Sequence, residues 1–321
     1  MRLRRLRALA VLAVLVVVSL VSVQLFRYVM SDPGSEAQVA QAPVSAPASS
    51  EPAASFEPAP SEPADEAPAE TSAPVEQPAA PTAEAAAAAL EEAAEKRMEE
   101  ISGRLSMSVL DLSTGVAATY GPSDRTHATA SIVKVDILAT LLWQNDGKLS
   151  ESERSLARRM IQQSDNSAAT ALWRSIGRAS GLAEANEKFG LTSTTGGSAG
   201  YWGLTTTTTS DQTQLLKNVF TEDSALNLES RRYLKSLMGS VASDQDWGVS
   251  AADTRAGEKY YVKNGWLPRS KGWVVNSIGS VDHEGHQLLI VALSDGGDSM
   301  DENVQVVEEL AEDAAKAVTG L

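Results

Sequence analysis

Eleven of the thirteen prolines fall between residues 31 and about 83, among Ala, Ser and Glu with almost no large apolar side chains. Such a stretch cannot bury enough surface to offset its ordering entropy, so any packed core must come from the residues beyond it. Residues 31–95 also carry thirteen Asp or Glu and no Lys or Arg. Mutual repulsion and polyproline preferences keep such a segment extended, and residues 31–84 read as an acidic stalk. Ahead of it, the first thirty residues hold five arginines and no acid, and Ala8 to Phe26 are nineteen uncharged, largely apolar residues, about one bilayer crossing. Residues 1–30 therefore read as a membrane anchor or uncleaved signal, its arginines cytoplasmic and the remainder outside. No small-residue cleavage site follows directly, which favours a single-pass cell-membrane protein over secretion after cleavage. The net charge of −15 leaves −7 from Lys96 onward, with no basic stripe, and this argues against nucleic acid as a partner. There is no cysteine, so packing alone must hold an exported domain together.

The pattern changes near Ala85. "AAAAALEEAAEKRMEEI" places Leu90, Ala94, Met98 and Ile101 at helical spacing, which opens a globular domain over residues 85–321. "RLSMSVLDL" alternates, and with "STG" and "VAATY" predicts two strands around a turn. A mostly helical middle runs from Ser131 to about Leu237. Three more strands are expected in "KYYVKNGWL", "GWVVNSIGSVD" and "HQLLIVALSD", the last two joined at "HEG". A closing helix begins at the capping pattern Ser299 to Glu302. This order predicts an α+β fold: a five-stranded antiparallel sheet flanked by terminal helices, with a small helical lobe.

"SIVKVDILATLLW" should form a helix that is apolar around most of its circumference, hence buried, with Ser131 and Lys134 one turn apart on one face. Burial disfavours a charged lysine, and a neutral amine beside a serine hydroxyl is the base that such a hydroxyl needs to become a nucleophile. A helix-capping serine followed by a lysine that snorkels to the surface satisfies the same spacing. Two later stretches weigh against that plainer reading: Ser164-Asp165-Asn166, and Lys263-Asn264-Gly265 on an expected sheet edge.

In this order the three motifs resemble the S-x-x-K, S-D-N and K-T-G set of the class A β-lactamases and penicillin-binding proteins, over roughly Ala85 to Leu321. The resemblance implies Ser131 as the acylated nucleophile, Lys134 as its base and Ser164 as a proton relay to the leaving nitrogen. It implies Asn166, Lys263, Asn264 and Gly265 as substrate-binding positions, and backbone N–H groups of Ser131 and Trp266 as the oxyanion hole. The substrates implied are β-lactams or cell-wall (peptidoglycan) peptides, with no cofactor.

Two departures qualify the match. Asn264 stands where the family has threonine, so an amide replaces the hydroxyl that helps hold a substrate carboxylate. Class A enzymes clear the acyl-enzyme with a loop glutamate, yet Gly190 to Ser210 contains no Glu or Asp. Glu184 and Glu187 lie earlier, on an expected solvated helix face. The sequence thus points to an extracytoplasmic serine hydrolase with slow deacylation. The alternatives are a non-catalytic module that binds cell-wall peptide or β-lactam from a membrane stalk, and an esterase on the same scaffold. His127 lacks an identifiable orienting acid and is a weaker base candidate than Lys134. His283 and His286 flank an expected hairpin turn without a third ligand, so no metal site is expected. Trp202, Trp266 and Trp273 are candidates for lining a cleft or for the core.

Overall fold

The structure, a computed structural model, describes residues 80–99, 101–255 and 260–321. The expected anchor and most of the expected stalk lie outside these residues. No helix among the described residues is long and apolar enough to cross a membrane.

Helix α1 (Ala83–Met98) starts at Thr82, whose hydroxyl accepts from Ala85 N, and buries Ala86, Leu90 and Ala94. Strands β1 (Arg104–Asp111) and β2 (Ala117–Tyr120) form the first hairpin. The last three strands are β5 (Tyr261–Arg269), β6 (Gly272–His283) and β7 (His286–Gly297). All neighbours pair antiparallel in the order β2-β1-β7-β6-β5, which leaves β5 at an edge. The β6–β7 turn is the pair Glu284 and Gly285, with φ of 50° and 89°, the left-handed backbone that a two-residue hairpin requires.

The helical lobe covers one face of the sheet. It comprises α2 (Val133–Gln144), α3 (Glu151–Gln162), α4 (Asn166–Ser175), α5 (Arg178–Phe189), α6 (Thr209–Phe220) and α7 (Leu228–Met238). Four of these helices start at local polar caps: Ser150 and Glu153 form a reciprocal capping box, and Asp165, Thr208 and Asn227 each accept from a first-turn N–H. Every residue of α2 from Val133 to Leu142 is buried, as a helix apolar around most of its circumference should be, and Lys134, Asp136 and Thr140 are buried with the rest. The other face of the sheet meets α1 and α8 (Met300–Thr319), the latter capped by Ser299. A two-residue ribbon of β3 (His127–Ala128) and β4 (Thr206–Thr207) ties the segment before Ser131 to the loop that follows α5.

Candidate active site

Ser131 lies in a single 3-10 turn, Ala130–Ile132, that runs straight into α2. Its neighbour Ala130 has φ of 46° and Ser164 has φ of 53°, a left-handed backbone that costs an L-residue roughly 1 kcal/mol. Such conformations persist only where the surroundings over-determine them. Here Thr129 N donates to Thr205 O at 2.8 Å, and Asn276 Nδ2 donates to Ala128 O at 2.8 Å and Thr129 O at 3.0 Å. The loop and β6 thus clamp the approach to Ser131 from two sides.

Lys134 Nζ sits 2.9 Å from Ser131 Oγ, 2.6 Å from Ser164 O, 3.0 Å from Ser164 Oγ and 2.9 Å from Asn166 Oδ1. Burial pushes its pKa from 10.5 down to about 7, against the pull of the Asp165 carboxylate. A neutral amine has two N–H donors and one lone pair. The carbonyl of Ser164 and the amide oxygen of Asn166 can take the donors, which leaves the lone pair to accept the Ser131 hydroxyl proton. The Trp202 ring centroid lies 4.9 Å from Nζ, and its indole donates to Thr170 Oγ1 at 3.1 Å.

Lys263 Nζ reaches Ser164 Oγ at 3.1 Å, so the Ser164 hydroxyl is within hydrogen-bond reach of both lysine nitrogens. Burial, and then repulsion from Lys134, pushes Lys263 well below its ordinary value. Gly265 brings β5 against the Ser131 turn: a Cβ there would lie 2.5 Å from Ser131 N and 2.8 Å from Ile132 N. Only a glycine lets the edge strand and the Ser131 turn approach so closely.

The structure therefore brings together Ser131, Lys134, Ser164, Asn166, Lys263 and Gly265. Asn264 departs from the expectation of a substrate-facing amide. Strand alternation turns it away from the face that carries Lys263 and Gly265, and its buried Nδ2 donates to Gln245 O at 2.9 Å and Trp247 O at 2.7 Å. It anchors β5 instead. The Trp266 ring shares that far side, 5.9 Å from Trp247 between centroids, which leaves its backbone for the cleft.

His127 does have an acid beside it, unforeseen from sequence: Nδ1 lies 2.7 Å from Asp295 Oδ2 and Nε2 3.0 Å from Ser106 Oγ. Nε2 is thereby engaged and Nδ1 faces a carboxylate, both away from Ser131. His283 and His286 flank the turn and face Ala252 O and Asp111, and no cluster able to hold a metal occurs among the described residues. Sequence reasoning also missed Asn276, whose signal was a lone amide in the apolar run "VVNSIG", and Asp136, an acid inside α2. Asp136 is buried and neither oxygen meets a protein donor. Burial drives its pKa up to about 7; the nearby Asn186 amide lowers it somewhat without completing a hydrogen bond, and Asp211 raises it.

The profile of the Beta-lactamase2 family, described as "Beta-lactamase enzyme family", matches residues 142–318. The match spans more than half of the chain, and the chain belongs to this family. The matched span starts beyond Ser131 and Lys134 and includes Ser164 to Asn166 and Lys263 to Gly265. Curated relatives from Mycobacterium tuberculosis and Mycobacterium bovis, each named "Putative lipoprotein LppW", are 27% identical over 198 residues. That alignment covers 58% of this chain and 62% of theirs, so the chain spans about three fifths of their length. Among solved structures, a class A β-lactamase from Mycobacterium abscessus has a TM-score of 0.62 at 16% identity over 71% of this chain and 98% of its own. A β-lactamase from Xanthomonas campestris has a TM-score of 0.61 at 20% identity over 73% and 98%. Identities this low establish a shared fold.

Proposed function

We propose that this chain is an extracytoplasmic serine hydrolase that acts on β-lactams or cell-wall peptide amides through an acyl-enzyme at Ser131, which it clears slowly. The observation that carries the reading is the Lys134 amine, buried and within hydrogen-bond reach of Ser131, Ser164 and Asn166 at once. In the first step Ser131 Oγ attacks the substrate carbonyl while its proton passes to Lys134 Nζ. Negative charge grows on the carbonyl oxygen between the Ser131 and Trp266 N–H groups, where preorganised donors stabilise the transition state most. As the C–N bond breaks, the proton returns from Lys134 through the Ser164 hydroxyl to the leaving nitrogen. Lys263 steadies Ser164 from the other side. Asn166 accepts from Lys134 with its oxygen, which leaves its amide N–H groups for a substrate carbonyl.

Deacylation needs a base for the incoming water. The loop from Gly190 to Ser210 offers no carboxylate, and the Trp202 ring faces the Lys134 amine. Both observations support a long-lived acyl-enzyme. An extracytoplasmic, membrane-associated place agrees with the apolar N-terminal segment and with the word lipoprotein in the relatives' name.

The test is the intact mass of the full chain during incubation with a penicillin, beside Ser131→Ala. The expected result is a penicillin-sized adduct on the wild-type chain alone that persists through many minutes. An adduct that survives in Ser131→Ala removes Ser131 as the nucleophile. Binding without any adduct makes the protein a recognition module.

A further inference from the structure

Lys263, Gly265, Leu267 and Arg269 alternate onto one face of β5, the face turned towards the helical lobe. Ser164, which passes on the relayed proton, and Lys263, which steadies it, mark the leaving-group end of the cleft. Gly265 lies against the nucleophile turn. The acyl part of a bound substrate must therefore point the other way along the edge strand, towards Arg269. Three residue steps along the strand separate Trp266 from Arg269, about 10 Å.

A cavity of about 310 Å³ opens there, lined by Arg104, Thr126, Ala128, Arg269, Lys271 and Asp295, among others. The nucleophile turn and the cavity share a wall, because Ala128 stands three residues before Ser131 and its carbonyl is held by Asn276. The charges are unbalanced. Arg104 binds Asp295 through two hydrogen bonds of 2.9 and 2.8 Å, and His127 also faces that carboxylate. Arg125, close by, donates to Leu105 O. Arg269 and Lys271 are exposed and have no ion-pair partner among the described residues. In a chain of net charge −15, a concave site with unpaired cations on the line of the substrate is a local reversal of sign that attracts anions.

We propose that this cavity is a subsite for a carboxylate carried on the acyl side of the substrate, about 10 Å from the scissile carbonyl, with Arg269 and Lys271 as its recognising groups. The inference rests on acylation at Ser131 for the direction of the substrate.

The probe is one cephalosporin nucleus carrying an adipoyl side chain, as the free acid and as its methyl ester. Acylation of the full chain is followed by intact mass at low and high ionic strength. At low salt the acid should react about fivefold faster than the ester, the scale of a partly solvated ion pair. The ratio should fall to one in Arg269→Ala/Lys271→Ala and at high salt, and should survive in Arg269→Lys. A ratio of one in the wild-type chain, or a ratio that persists in the double variant, overturns the subsite. The same two compounds are titrated against Ser131→Ala for equilibrium binding. If neither compound acylates the wild-type chain, the acylation reading fails. The subsite then stands only if Ser131→Ala binds the acid more tightly and loses that preference with Arg269 and Lys271; equal binding of both compounds overturns it.

Discussion

On the face that meets α1 and α8, β1 and β7 present Leu105, Met107, Val109, Leu288, Ile290 and Ala292, and the helices answer with Leu90, Val307, Leu310 and Ala314. On the opposite face the same strands present Ser106 and Ser108 beside Leu289, Val291 and Leu293. Around that face the lobe buries Lys134 and Asp136, β3 buries His127, and β5 and β6 add Lys263 and Asn276. The first face stabilises the domain by removing apolar area from water. The second spends part of that stability, because each buried polar group costs free energy unless it is paired. Function is possible here because the site rests on a sheet whose other side asks nothing of it.

Substitutions should separate the two faces. The largest effect is expected for Lys134→Ala, which removes the proposed base and should slow acylation by roughly 10³-fold, read as the rate of adduct formation. Its unfolding midpoint in urea should not fall, since a buried amine that resists protonation gives way to a methyl group. A large loss of stability would mean that Lys134 supports the lobe rather than the chemistry. The mirror experiment is Leu310→Ala, at a fully buried position under the sheet's other face. It should cost about 3 kcal/mol of stability and leave the acylation rate of the folded fraction as it was. A matching drop in that rate would show that the two faces are mechanically coupled.

The apolar face was legible in the sequence, because period-two and helical spacing report one-sided burial directly: the alternation of β1 and the capped start of α8 both appear where expected. That Ser131, Lys134, Ser164 and Lys263 come together was legible for a different reason, since three motifs in order demand one geometry. What stayed hidden was long-range and polar. The partners of His127, at Ser106 and Asp295, lie 21 and 168 positions away, and no periodicity joins them. The turn of Asn264 away from the Lys263 face follows from strand alternation once β5 is in place, yet the motif by itself suggested a substrate contact.

Asp136 tests the cost of the polar face. Its pKa rises from 3.8 to about 7 in the folded chain, chiefly through burial. Between those values the folded protein holds a proton that the unfolded chain has released. Its contribution is therefore fully present below about pH 4 and is lost as the pH climbs to about 7. Asp136→Asn should remove this slope and, at pH 8, raise stability by roughly 2 kcal/mol, measured by urea unfolding across the range. Stability that rises over the same window in the wild-type chain would show that the acid is paired, and would move it out of the polar face's costs.

The smallest expected effect bears on Trp202, whose ring lies against the Lys134 amine without belonging to the proposed reacting atoms. Acylation requires neutral Lys134, so its rate should climb with pH and level off above about 7. Trp202→Ala exposes the amine to water and weakens the main cause of its lowered pKa. The rising limb should then shift upward by about half a pH unit, and the acyl-enzyme should hydrolyse about threefold faster as water gains access, since removing one dry wall relieves only part of the barrier. Trp202→Phe, which keeps an apolar ring over the nitrogen, should restore both values. A variant that merely loosened the lobe would lower the plateau and leave the limb in place. An unshifted limb in Trp202→Ala would therefore mean that the dryness around Lys134 is supplied by α2 and the sheet alone.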